Sequence, residues 1–214
     1  MSNILHFQKH GLIDDFTFKP KMTVGIHGIL GSFNDQAWNT FVSEDIPDVS
    51  THFQIVELVE SEKVLRAVSH KEVDIGIFAF ANSGSGGYLA SVEAMGKYNY
   101  RVLAQFTMPI NMCMLVHPTI NSIDEIKLFF GHPVAINQCR KTLVNRWPNI
   151  PIKSGSDGMD TALSAKLLSE GKISKENAIF ASKRAAERYS LKVLFEGVHH
   201  DPNNATAFVI ITHY

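Results

Sequence analysis

The run His200-Asp201-Pro202-Asn203-Asn204-Ala205-Thr206-Ala207-Phe208-Val209-Ile210-Ile211 sets a polar turn directly against an apolar strand. Pro and the paired Asn residues make the turn, and the aromatic and β-branched residues that follow make the strand. The same kind of junction recurs upstream. Residues 22–27 form an apolar run that ends in Gly28-Ile29-Leu30-Gly31-Ser32. Residues 73–80 form another that ends in Ala81-Asn82-Ser83-Gly84-Ser85-Gly86-Gly87. Each run has the length of a strand, and helical periodicity follows it. Polar groups at the mouth of a strand are where α/β proteins place their chemistry.

Working outward, Ser32 is a natural N-cap for a helix over 33–42. A second strand covers 53–58, and a helix over 60–70 puts Val64, Leu65 and Val68 on one face. Residues 73–80 are apolar apart from Asp74 and Gly76, as a central parallel strand requires. A helix follows the glycine-rich loop through Met95. Residues 100–116 are long, apolar and rich in β-formers, with Pro109 near the middle. Pro cannot donate to a ladder, so this stretch reads as two strands or a bent crossover between lobes.

Beyond it we expect a helix over 121–130 and a strand over 133–136. The next helix places Ile136, Cys139, Leu143 and Trp147 on one face. Then come a strand from Ile152, a helix over 158–171 closed by Gly171, and a strand over 178–182. A helix reaching Tyr189 carries Ala181, Ala185 and Tyr189 as its buried stripe. The last strands are 191–195 and 206–212. This alternation predicts an α/β fold of two lobes with mixed, mostly parallel sheets. Lobe one takes 22–103 and 195–214, and lobe two takes 104–194. Residues 1–21 show no period and read as an extension or a loose hairpin.

Composition narrows the function classes. With 45% hydrophobic and 19% charged residues in 214, the chain has the makings of an ordinary globular core. A formal net charge of −1 provides no basic field for nucleic acid or an anionic membrane. No apolar run approaches the length of a membrane span, and the N-terminus has no secretory h-region. Two cysteines fit a reducing compartment, which places the chain in the cytoplasm. No Cys-x-x-Cys or His-Glu-x-x-His spacing occurs, so we expect no metal site.

Three loops look ready to touch a ligand: residues 28–33, residues 82–87, and Gly131-His132-Pro133 with Asn137-Gln138. Each flanks a strand and precedes a helix, whose N-terminal N–H groups suit a carboxylate or a phosphate. Ser32, Ser83 and Asn137 also suit plain helix capping.

From about Thr23 onward, the chain resembles the catalytic domain of the prephenate dehydratase family. Gly28, Gly31 and Phe33 match the family's opening glycine-rich signature, with Ser32 in place of Thr. Asn82-Ser83 and Gly86 match its Glu-Asn-Ser loop, with Ala81 at the Glu position. His132-Pro133, Ala135 and Gln138-Cys139 match its Ser-His-Pro segment, with Gly131 in place of Ser. Thr161-Ala162 match its Ser-Thr-Ala helix, and Ala181-Ser182, Ala185-Ala186-Glu187 and Tyr189 match the segment before the last strands. In the final turn Thr206 and Phe208 stand in register, but the Arg between them is Ala207.

The resemblance implies a fold similar to type II periplasmic binding proteins, with the site in a cleft between lobes. It implies prephenate, a small dicarboxylate, as substrate, no cofactor, and a homodimer. Dehydration expels a ring hydroxyl as carbon dioxide leaves, so a donor must reach the departing oxygen. The resemblance assigns that role to Thr206. It assigns substrate binding to Ser32, Asn82, Ser83, Gly84, Gln138, Thr161 and Phe208. Ala207 and Ala81 remove a guanidinium and a carboxylate, and truncating one partner of a desolvated charge pair costs roughly 2–5 kcal/mol. Arg140, Lys141, His199 and His200 are the candidate replacement cations. A divergent decarboxylase-type lyase and a non-catalytic carboxylate binder are the alternatives. The last strand ends close to Tyr214, so we expect no phenylalanine-binding ACT domain of the kind that commonly follows in the family.

Overall fold

The computed structural model describes residues 16–156 and 159–214. In chain order the first elements are β1 (Lys21–Ile26), α1 (Phe33–Asp45), β2 (His52–Glu57), α2 (Ser61–Ser69), β3 (Ile75–Asn82) and β4 (Gly86–Gly87). Then come α3 (Leu89–Met95), β5 (Arg101–Pro109), β6 (Cys113–Val116), a 3-10 turn (Ile123–Glu125), β7 (Leu128–Gly131) and α4 (Pro133–Arg146). The chain continues with β8 (Ile152–Ser154), α5 (Thr161–Ser169), β9 (Asn177–Ala181), α6 (Lys183–Arg188), β10 (Lys192–Phe195) and β11 (Ala205–Thr212).

These elements form a mixed α/β fold of two sheets, one in each of two compact units. Unit one holds residues up to Ile29, Asn34–Pro109 and Ala205–Tyr214. Its sheet runs β2-β1-β3-β11-β5, with β4 paired to β3. The pairs β1–β2 and β1–β3 are parallel, whereas β11 is antiparallel to both β3 and β5. Strands β3 and β11 are interior and apolar because both of their edges and faces are covered. On one face α2 buries Val64, Leu65 and Val68. Gly76 permits this: a Cβ there would lie 2.6 Å from Val64 Cγ1 and 2.8 Å from Val68 Cγ2. An aromatic set, Trp38, Phe41, Phe53, Phe106 and Phe208, fills another part of this unit's core.

Unit two holds Leu30–Phe33 and Ile110–Asn204. Its sheet runs β10-β6-β9-β7-β8, antiparallel across β10–β6 and β6–β9 and parallel across β9–β7 and β7–β8. Cys113, Leu115, Leu168, Ile179 and Ala185 are among its fully buried residues. Three helices begin on side-chain caps. His132 accepts from Val134 N, Asp160 from Leu163 N at 2.6 Å, and Ser182 from Ala185 N at 3.0 Å.

Several expectations change. Antiparallel ladders surround β11 and β6, so parallel pairing does not predominate in either sheet. The unit boundaries lie at 109/110 and 204/205, not at 103/104 and 194/195, because β5 pairs with β11 along its whole length. Leu30–Phe33 joins unit two, where Ser182 Oγ donates to Gly31 O at 2.7 Å and Tyr189 OH to Leu30 O at 2.7 Å. The expected helix over 121–130 is a single 3-10 turn and then β7. A capping box of Ser122 and Glu125 closes that turn, after which the Lys127 and Phe129 amides donate to Glu176 O and Pro151 O. The expected strand at 133–136 is the first turn of α4, with Pro133 at the position where its missing N–H costs nothing. The helix expected from Gly158 starts at Thr161. Gly158 itself, and residues 1–15 of the expected extension, lie outside the described residues.

Candidate active site

Unit one brings Asn82, Ser83, Gly84 and Thr206 together. The β3–β11 ladder sets Thr206 opposite Asn82 and Ala207 opposite Ala81. The register slips by one residue just beyond, so Phe80 is an extra residue in β3 and forms a bulge beside the loop. Asn82 is 4% exposed and its amide is used at every position. Nδ2 donates to Ala205 O and to Thr206 Oγ1, each at 3.0 Å. Oδ1 accepts from Gly84 N at 2.9 Å and from Ser85 N at 3.3 Å. Two donors and two lone pairs are thereby engaged, so Asn82 holds Thr206 and the loop.

Ser83 ties the loop to β11 on the outside. Its N donates to Ala205 O at 2.8 Å, and its Oγ accepts from Ala205 N at 3.0 Å. Thr206 is 5% exposed. Phe208 is fully buried and stacks on Phe106 with 5.9 Å between ring centroids. Period-2 alternation carries it inward with Thr206, so Phe208 is a core residue and does not meet a ligand as expected. Sequence reasoning missed Tyr88, a half-buried phenol whose pKa burial pushes up against the opposing pull of Thr206 and Ser85. The glycines before it signal a loop, but no local pattern ties Tyr88 to Thr206.

Sequence reasoning also missed His27 in unit one, at the carboxyl end of β1. The residue is partly exposed, but its Nδ1 is enclosed and has no hydrogen-bond partner. Burial pushes its pKa down to about 4 against the opposing charge of Glu60, so the imidazole is neutral at physiological pH.

In unit two, Gln138 lies beside the polar turn. Its carbonyl accepts from His200 N at 2.9 Å, and its Oε1 lies 3.5 Å from Asn204 Nδ2. Asp201 builds the turn by accepting from Asn203 N and Asn204 N. His199 is poorly suited to be a replacement cation. Burial lowers its pKa despite the opposing charge of Asp201, and its Nδ1 accepts from Met112 N at 3.3 Å. His200, Arg140 and Lys141 are exposed, the latter two on α4. Thr161 is the first residue of α5, and Ser32 lies buried one residue before α1. Gly31 has φ +91°, and a Cβ there would sit 3.2 Å from both Ala185 Cα and Tyr189 Cε2, so glycine lets this loop rest on α6.

The facing positions of Ala81 and Ala207 change how the missing charges are weighed. An Arg and a Glu at these sites would be cross-strand neighbours. Both are absent, so neither leaves an orphaned buried charge behind, and the penalty for truncating one partner does not apply to stability. Covalent catalysis by thiolate is also disfavoured. Cys113 and Cys139 are buried and unpaired, and burial pushes their thiols up to about 11 and about 12.

The fold recurs in known proteins. The family model described as prephenate dehydratase matches residues 24–214. The chain is 29% identical over 192 residues to arogenate dehydratase/prephenate dehydratase 1, chloroplastic, of Arabidopsis thaliana, covering 89% of this chain and 45% of that protein. The chain thus spans about half the length of that curated relative. The structure of a prephenate dehydratase from Arthrobacter aurescens in complex with L-Phe superposes with a TM-score of 0.75 at 24% identity, covering 89% of this chain and 60% of that one. A structure titled as a novel type of quorum quenching acylase superposes at 0.72 with 20% identity, covering 90% of this chain and 64% of that one. The shared fold therefore does not by itself select a chemistry.

Proposed function

The chain belongs to the prephenate dehydratase family, and from that premise we propose that it is a lyase converting prephenate to phenylpyruvate with loss of water and carbon dioxide. One observation carries the reading: Asn82 fixes the Thr206 hydroxyl at the mouth of β11, where a donor can serve a departing hydroxyl. Aromatisation supplies the driving force, so the protein's task is largely to position the substrate and deliver one proton. Ser32, Ser83, Gly84, Gln138 and Thr161 are the proposed substrate contacts. The candidate cations that remain are Arg140, Lys141 and His200. The name of the plant relative covers arogenate as well as prephenate, so arogenate is the second substrate to try.

A second reading is supported by the facing alanines at 81 and 207. A site without that guanidinium suits decarboxylation without loss of the hydroxyl, or carboxylate binding alone. Incubation with prephenate, followed by ultraviolet and mass analysis, separates the readings. Phenylpyruvate supports the dehydratase, and a non-aromatic decarboxylated product the divergent lyase. Unchanged prephenate that nevertheless binds supports the binder.

We place the protein in the cytoplasm, a location supported by two buried, free cysteines. Neither nucleic acid nor membrane is a proposed partner, in keeping with the formal net charge of −1. No described helix is long and apolar enough to cross a membrane. A homodimer completes the reading, and light scattering that finds a monomer at micromolar concentration removes it.

A further inference from the structure

In unit two, Ser182 stands at the N-cap of α6 and Tyr189 at its C-cap, with Ala185 between them. Spacings of three and four residues put all three on one face of a helix. The fully buried Ser182 uses its hydroxyl twice: Oγ accepts from Ala185 N at 3.0 Å and donates to Gly31 O at 2.7 Å. Tyr189 OH donates to Leu30 O, the preceding carbonyl, at 2.7 Å. Ala185 leaves the space that the loop fills, since a Cβ added to Gly31 would lie 3.2 Å from Ala185 Cα.

In a planar trans peptide the C=O and the following N–H point in opposite directions. Gripping the oxygens of Leu30 and Gly31 therefore fixes two successive peptide planes, and with them the direction in which the chain enters Ser32. Gly31, at φ +91°, would otherwise give this stretch wide conformational freedom. A loop that orders only when ligand arrives loses that freedom at the expense of affinity, whereas a loop held in advance does not.

We propose that Tyr189 and Ser182 are positioning residues for substrate binding: from the two ends of α6 they hold residues 30–32 in the conformation in which Ser32 meets the substrate. This rests on the dehydratase reading above, in which Ser32 is a substrate contact. Tyr189 and Ser182 act through the loop backbone and touch no reacting atom.

The test uses Tyr189→Phe, which keeps the ring and removes the oxygen that reaches Leu30. Ser182 is left intact because it also caps α6. In the variant, hydrogen exchange read by mass spectrometry on the full chain rises about 3- to 10-fold over residues 28–33, as loss of one hydrogen bond allows, and stays unchanged over residues 161–169 of α5. The Kd of prephenate and of arogenate, by titration calorimetry, rises by about the same factor. In steady-state assays KM follows Kd and kcat changes less than about twofold, because the loop holds ground state and transition state alike. Saturating substrate slows exchange over residues 28–33 in the wild type. Exchange that is unchanged over residues 28–33, or raised equally across unit two, overturns the proposal whether or not the protein binds either substrate. So does a wild type that binds substrate but whose Kd survives Tyr189→Phe, or whose bound substrate leaves exchange over residues 28–33 unslowed; both results leave the dehydratase reading standing. A wild type that binds neither substrate, with exchange raised over residues 28–33 alone, overturns the dehydratase reading and the substrate role while upholding the grip of α6 on the loop.

Discussion

Ala207 and Ala81 face each other across one ladder, so they are best tested together. Ala207→Arg alone adds a planar fork with no acid opposite, free to take a substrate carboxylate. We expect prephenate binding to tighten by about 2 kcal/mol, or about 30-fold in Kd by titration calorimetry. Ala207→Lys should recover much less, because an ammonium lacks the bidentate geometry. Ala81→Glu added to Ala207→Arg should draw the guanidinium back across the ladder. Its stability coupling in a double-mutant cycle should be about 0.2–1 kcal/mol, and the binding gain should shrink. If Ala207→Arg leaves binding unchanged, the side chain points to solvent and the anchoring argument fails. His27 supports a separate expectation about pH. Its folded pKa is about 4 against 6.5 for a free imidazole, so the unfolded chain binds the extra proton first. Stability is therefore full above about pH 6.5 and falls as pH drops toward 4, by at most about 3 kcal/mol because the ring is partly exposed. Urea midpoints across that range should fall in the wild type and flatten in His27→Gln. At this scale the sequence revealed Thr206 and Asn82 through local motif patterns. The bond between them spans 124 residues, and nothing local marks His27 or the saturation of Asn82.

Strong periodicity made some elements readable and weak periodicity hid others. Helix α2 announced itself through Val64, Leu65 and Val68, and β3 through an unbroken apolar run. Residues 121–136 are ambiguous because Leu128-Phe129-Phe130 fits a helix face as well as a strand, and only ladder partners far along the chain decide between them. Pro109 was informative because its missing N–H ends β5 where the chain leaves unit one. The packing of α2 on β3 depends on Gly76, whose absent side chain admits Val64 and Val68. Gly76→Ala should force the helix outward and lower stability by about 1–3 kcal/mol in urea unfolding, as overpacking does. Gly96→Ala is the control. Gly96 has φ −80°, and the nearest atom to an added Cβ is 3.6 Å away, so stability should stay within about 0.5 kcal/mol of wild type. Equal effects at the two glycines would show that the close approach is not what Gly76 supplies.

The path of the chain makes the two units unequal in what they need. Unit two is nearly one continuous run, Ile110–Asn204, with a core of its own, whereas unit one is assembled from stretches at both ends of the chain and the middle. Alternating segments made two lobes legible in the sequence, but strand pairing set their limits, and pairing is not local. The last piece of unit one, β11, lies inside its sheet between β3 and β5. Phe208, Val209, Ile210 and Ile211 of β11 are each at most 1% exposed. At about 1.5–3 kcal/mol per buried side chain, these four contribute roughly 6–12 kcal/mol. That is comparable to the whole stability of a typical domain, about 5–15 kcal/mol. Removing residues 205–214 should therefore unfold unit one and spare unit two. The two tryptophans report the units separately. Trp38 packs edge-on against Phe53 at 5.0 Å in unit one, and Trp147 lies against Phe195 at 4.9 Å under Arg146 in unit two. In a Trp147→Phe background, the shortened chain should show Trp38 emission shifted to that of the denatured protein. In a Trp38→Phe background, Trp147 emission should stay where it is in the intact chain. Native Trp38 emission from the shortened chain would mean that β3 and β5 close up without β11, and that the interior position of the last strand does not hold unit one together.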